Sequence, residues 1–146
     1  MKKQFLYMLI SLLVVGLLSC SPYSARKRVP LILNGVKILT YPTSESLEPT
    51  DDILDYIYSA SFHLEDNPSV YVNIIGHSDN SGSYEQNIST AIKRAEKCYN
   101  YLVELGIEKY RIIYSGMGNM SPISKENTDE ARAKNRRVEI KFFIRE

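Results

Sequence analysis

The sequence predicts an α+β fold, a sandwich in which helices pack on one face of a mixed four-stranded sheet. Three observations carry this. Apolar runs of strand length alternate with segments whose apolar residues recur every three to four positions. Clusters of Gly, Pro, Asn, Asp and Ser separate them at short intervals. The size, 146 residues with 44% hydrophobic and 24% charged, suits one modest domain and a short extra segment.

In chain order, Val36 to Tyr41 predicts the first strand, with an extended stretch at Val29 to Leu33 before it. Pro49, Asp51 and Asp52 open a helix whose apolar stripe is Ile53, Ile57, Ala60 and Leu64, and Asn67-Pro68 ends it. Val70 to Ile75 is the second strand, closed by Gly76. Ser83 and Gln86 have capping-box spacing, and Ile88, Ala91, Ala95, Cys98, Leu102 and Leu105 mark the buried face of a long helix up to Gly106. Tyr110 to Tyr114 predicts the third strand, Thr128 to Asn135 a short polar helix and Val138 to Ile144 the last strand, in the order βαβαβ(α)β.

The amino terminus has a different character. Lys2 and Lys3 precede an apolar run from Phe5 to Leu18, and Ser19-Cys20 follow, which is the plan of a secretory signal peptide. A transmembrane anchor is the other reading, but the run is shorter than the roughly 20 apolar residues that span a bilayer. Leu17-Leu18-Ser19-Cys20 also resembles a lipobox, cut before a cysteine that then carries lipid. The expected division is a signal peptide over 1–19, a lipidated Cys20 with a short basic linker over 20–28, and one domain over 29–146. Cys98 is then the remaining thiol, which cannot form an internal disulfide and is expected as a small buried hydrophobe.

The net charge of +1 divides unevenly. Residues 1–28 hold five cations and no acid, so the rest carries −4, a poor balance for nucleic-acid binding. Arg26-Lys27-Arg28 either touches anionic head groups or is a solvated linker. His63 and His77 lie in different elements and no Cys-x-x-Cys is present, so no metal or cofactor is expected. Neither a nucleophile elbow nor a phosphate loop occurs, which points away from an enzyme.

Several motifs converge on one family. Gly76-His77-Ser78-Asp79-Asn80-Ser81-Gly82-Ser83, then Arg94-Ala95, Gly116-Met117-Gly118-Asn119 and Asn135-Arg136-Arg137-Val138-Glu139, resemble the carboxy-terminal domain of the OmpA, Pal and MotB proteins. The resemblance covers roughly residues 36 to 144. There are departures: Thr90-Ala91 stands where the family has Leu-Ser, and the first strand carries Thr40 and Pro42 in place of paired phenylalanines. The resemblance implies an outer-membrane lipoprotein, its domain facing the periplasm, that holds peptidoglycan and tethers membrane to wall. The alternative is an adaptor subunit of a larger envelope complex with weak or no wall binding. A MotB-like stator is disfavoured, since the apolar segment holds no ionisable residue to carry ions.

In the family, an acid after the second strand and an arginine on the next helix grip the diaminopimelate of the stem peptide, which implies Asp79 and Arg94 here. The chemistry is consistent: an amino-acid end carries ammonium and carboxylate on one carbon, and a carboxylate with a guanidinium fork complements it. Asn87 and Arg94 are seven positions apart and share a helix face, and helical side chains lean toward the amino terminus, so Arg94 can reach back to the Asp79 loop. Structural roles are the other reading. Asp79 would then close a turn or cap the helix, and Arg94 would pair with Asp79. Ser78, Ser81 and Asn87 either support the ligand or meet water. Arg137 either faces the site or pairs with Glu139. Removal of Arg94 is expected to cost binding and spare the fold.

Overall fold

In a computed structural model of the chain, residues 26, 28–31 and 33–145 are described. The expected signal peptide, Cys20 and nearly all of the basic linker lie outside the described residues. The elements run β1 (Lys37–Thr40), α1 (Asp51–Asp66), β2 (Val70–Gly76), α2 (Tyr84–Glu104), β3 (Ile112–Gly116), α3 (Asp129–Asn135) and β4 (Arg137–Ile144). A 3₁₀ turn at Lys109–Arg111 precedes β3.

Strand order is β1-β4-β2-β3. The last strand is thus inserted between the first two, antiparallel to both, with Leu39 opposite Val138 and Ile74 opposite Ile140. Strands β2 and β3 are parallel, with Val72 opposite Ile112, and α2 is the crossover that a parallel pair requires. Alternation sends Leu39, Val72, Ile74, Val138, Ile140 and Phe142 to the helix side, where they meet Ile53, Ile57 and Leu64 of α1 and Ala95, Cys98 and Leu102 of α2. On the opposite face Tyr71 stacks near Phe143 and Tyr110, with ring centroids 5.7 and 6.4 Å away. Among the described residues, no helix is long and apolar enough to cross a membrane.

Helix starts follow the local chemistry. Thr50 caps α1 by accepting from the Ile53 amide, ahead of Asp51 and Asp52, which suit the positive end of the helix dipole. Ser83 and Gln86 form the expected capping box at α2, and Thr128 caps α3 through the Ala131 amide. Cys98 is fully buried, and burial pushes its thiol up to about 12, so it serves as a core hydrophobe.

Several expectations shift, and the first strand is shorter than expected, Lys37–Thr40 in place of Val36 to Tyr41. The third strand begins at Ile112, because Tyr110 and Arg111 belong to the 3₁₀ turn. That turn puts the Arg111 guanidinium inside, where it donates to the carbonyls of Leu64 (2.6 Å), Asn67 (2.9 Å) and Val70 (2.8 Å) and ties the end of α1 to the start of β2. On α2, Ile88 and Leu105 are only half-buried, while Asn87 and Arg94 are buried. Finally, β4 starts one residue earlier than expected, at Arg137, whose backbone pairs with Thr40.

Candidate functional site

The site lies beyond the carboxyl ends of β2 and β3, at the amino end of α2. Gly76 allows the close approach on which it depends. A Cβ there would stand 1.9 Å from the Ala91 carbonyl oxygen, so the helix rests directly on the strand end. Sheet-like pairing continues into the loop: the His77 amide donates to the Arg137 carbonyl (2.8 Å) and the Ser78 amide to the Gly118 carbonyl (2.9 Å). Asp79 follows, already fixed in position.

Asp79 is only 2% exposed. Its Oδ1 accepts from the Ser81 amide (3.0 Å), an Asx turn into α2. Its Oδ2 accepts from Ser44 Oγ (2.7 Å) and from Arg136 Nη1 (3.0 Å). Burial alone would raise its pKa, but the hydrogen bonds from Ser44, Ser81 and Arg136 outweigh it and hold the carboxyl below the usual range. The group is therefore an anion at neutral pH.

Arg94 is wholly buried. Nε donates to the Ser46 carbonyl (2.9 Å), Nη1 to the His77 carbonyl (2.8 Å), and Nη2 to the carbonyls of Thr43 (2.9 Å) and Ser44 (3.1 Å). The guanidinium carbon also lies 4.5 Å from the Tyr41 ring centroid, a cation–π contact. Burial draws its pKa down, with Tyr41 and Asp79 opposing, and arginine stays charged. Arg94 thus clips the 43–46 loop to the 77–79 loop.

These two loops and the first turns of α2 enclose a concavity of about 340 Å³. Asp79, Ser78, Ser81 and Asn87 line it, with Ser44 and Thr90. Ser78 Oγ and Asn87 Nδ2 are buried and have no hydrogen-bond partner among the described residues. A buried donor without an acceptor is costly, about 1–3 kcal/mol, so these groups suit a polar ligand.

The structure therefore brings Asp79, Ser78, Ser81 and Asn87 to one pocket, with Arg94 beneath it. Arg94 does reach back to the Asp79 loop, through the His77 carbonyl, yet the ion pair of Asp79 is with Arg136. Arg137 goes elsewhere: its Nη2 lies 2.6 Å from Glu139 Oε1 and also donates to the Ser121 carbonyl (3.0 Å). The remaining member of the motif, His77, has a buried ring whose nitrogens lack hydrogen-bond partners among the described residues, with Glu139 Oε1 3.5 Å away. Burial and the charge of Arg137 lower its pKa to about 4, so it is neutral at pH 7. Sequence reasoning missed Arg136 and Ser44. Arg136 sits in the bend between α3 and β4, outside the strand, so no periodicity in the sequence marked which way it turns.

Known proteins share this fold. A family model described as the OmpA family matches residues 43–136. The chain is 32% identical over 111 residues to the probable lipoprotein YiaD of Escherichia coli (strain K12), a match covering 75% of this chain and 50% of that protein. It is 44% identical over 73 residues to the peptidoglycan-binding protein ArfA of Mycobacterium tuberculosis (strain H37Rv), covering 50% of this chain and 22% of that one. The chain thus spans half or less of the length of these curated relatives. Among solved structures, the peptidoglycan-associated lipoprotein from Burkholderia pseudomallei matches at a TM-score of 0.68 and 23% identity, over 71% of this chain and 88% of that one. The carboxy-terminal domain of Helicobacter pylori MotB matches at 0.67 and 26%, over 76% and 87%. With the family model spanning most of the globular region and the strand order, helix caps and glycine loop all in place, the chain belongs to the OmpA family.

Proposed function

We propose that this chain is a cell-envelope protein that binds peptidoglycan without catalysis, its Asp79 pocket taking the amino-acid end of diaminopimelate. The observation that carries the reading is the pairing, in one concavity, of a buried ionised carboxylate with two buried polar groups that lack partners among the described residues, Ser78 Oγ and Asn87 Nδ2. Asp79 receives the ammonium. Asn87 donates to the carboxylate, Ser78 and Ser81 add hydrogen bonds, and the fixed charge of Arg94 beneath the floor stabilises that carboxylate in a low-dielectric setting. A direct grip by the Arg94 fork needs a carbonyl of the 43–46 loop to give way. The ArfA and Pal relatives, described as peptidoglycan-binding and peptidoglycan-associated, support the reading. By the same proposal, lipid on Cys20 holds the protein in the outer membrane with its domain in the periplasm, and the chain tethers membrane to wall.

Titration with a diaminopimelate-containing peptide tests the site. Asp79→Asn keeps the shape and removes the charge, so affinity should fall roughly tenfold or more, the worth of a charge-assisted contact of about 1.5–3 kcal/mol. Equal binding by wild type and Asp79→Asn would sink the assignment.

An adaptor role is the second reading, and one observation favours it. Tyr84, Ile92, Met117, Met120 and Ile123 are exposed apolar side chains on α2 and the loop after β3, a composition suited to a protein partner. Cosedimentation with isolated sacculi separates the two readings, since an adaptor stays in the supernatant.

A further inference from the structure

We infer that a second concavity, on the other side of Ser78 from the Asp79 pocket, is a subsite for the peptide that flanks diaminopimelate; this rests on the wall-binding reading above. The concavity holds about 220 Å³, and its lining includes Ser78, Asn80, Asn119, Lys125, Glu126 and Asn135. Ser78 also lines the first pocket, so it forms a wall common to both.

The second concavity is preformed. Asn135 Oδ1 accepts from the amides of Ile123 (2.8 Å) and Ser124 (3.1 Å), and its Nδ2 donates to the Ser124 carbonyl (2.8 Å). That clamp fixes one side. The Ser78–Gly118 backbone bond of 2.9 Å fixes the other by holding the loops after β2 and β3 together.

Its free groups have a definite chemistry. Among the described residues, the side chains of Asn80, Asn119, Lys125 and Glu126 take no hydrogen-bond or ion-pair partner; Asn119 is half-buried and the other three are exposed at the rim, where Lys125 and Glu126 offer one charge of each sign. The buried Ser78 hydroxyl is likewise unpartnered. A carboxamide offers one acceptor and two N–H donors, which match the C=O and N–H of a peptide bond, and a lysine matches a free carboxylate. At about 220 Å³ the cavity falls below the roughly 300–1,000 Å³ of an independent small-molecule site, so by itself it takes only a fragment. Joined across Ser78 to the first pocket, it takes the extension of what that pocket holds. An extended peptide bearing amides and a carboxylate is that extension.

The test compares two probes, free diaminopimelate and the tripeptide alanyl-γ-glutamyl-diaminopimelate, which adds amides and a free α-carboxylate. Calorimetric titration of the full chain should show the tripeptide binding at least about tenfold tighter than diaminopimelate, the worth of a single charged hydrogen bond. In the double variant Asn119→Ala/Lys125→Ala that advantage should vanish, while affinity for free diaminopimelate stays within about twofold. Both substitutions are at loop side chains without internal partners, so folding should be unaffected. A tripeptide advantage that persists in the double variant, or is absent in wild type, overturns the subsite and leaves the first pocket standing. Wild type that binds neither probe overturns the wall-binding reading itself.

Discussion

A guanidinium buried without a carboxylate partner needs carbonyl oxygens, and Arg94 has four of them. Removing it would leave those carbonyls unsatisfied in the interior, so Arg94→Ala should lose about 3–5 kcal/mol of stability, read as a shift in a urea unfolding curve. The sequence reading expects the fold to survive this change, and the unfolding curve decides between the two. Lysine keeps the charge but cannot serve acceptors on both loops at once, so Arg94→Lys should recover only part. An Arg94→Ala protein as stable as wild type would show that the clip is dispensable. His77 supplies a second prediction. Its folded pKa of about 4 lies below the ordinary 6.5, so the unfolded chain binds more protons and stability falls as pH drops from 6.5 toward 4. The contribution is on the order of 3 kcal/mol. Asp79 acts in the same direction at lower pH, being depressed as well. His77→Phe keeps a ring and removes the titration, so its stability should depend less steeply on pH over that window. Asp79 was legible through the family motif Gly76-His77-Ser78-Asp79, whose residues are neighbours in the chain. Arg136 was not, because which of two adjacent arginines turns toward Asp79 depends on the seating of β4 against β1.

At the level of elements, helix starts were the most readable and strand starts the least. The α2 capping box is a contact between residues three apart, so spacing alone reveals it, and Ser83→Ala should lower stability by about 1 kcal/mol in thermal or urea unfolding. The third strand was misplaced by two residues because Tyr110 and Arg111 have the composition of a strand. Arg111 turns inward only because the carbonyls of Leu64, Asn67 and Val70 await it, and those belong to another part of the chain. Gly76 marks the tightest contact between elements. With 1.9 Å between an added Cβ and the Ala91 oxygen, Gly76→Ala must push α2 off the sheet, at a cost of about 1–3 kcal/mol or more. Because α2 carries Asn87 and Arg94, the same variant should weaken diaminopimelate binding as well. Unchanged binding would show that the pocket tolerates a displaced helix.

For the whole molecule, strand order decides what the site contains. Inserting β4 between β1 and β2 brings Arg136 beside the loop after β1, where its Nη2 donates to the Pro42 carbonyl (3.0 Å) while Nη1 pairs with Asp79. Three segments far apart in sequence thereby meet around one carboxylate. Tethering at both ends is the prediction at this scale. Wild type should fractionate with membranes and cosediment with sacculi, Cys20→Ala should lose the first property alone, and Asp79→Asn the second alone. A Cys20→Ala protein that remains with membranes would overturn the lipid anchor.

The sequence by itself determined the α+β class, the order of elements and the capping box of α2, while its resemblance to the OmpA-like domains pointed to Asp79. The first three are set by periodicity or by contacts within a few residues, and such patterns are written along the chain. Only the tertiary structure decided that Arg94 is spent on loop carbonyls, that Arg136 and Ser44 partner Asp79, and that Arg137 turns to Glu139. A guanidinium with five donors and a long stem can satisfy many partners, and burial and register select among them.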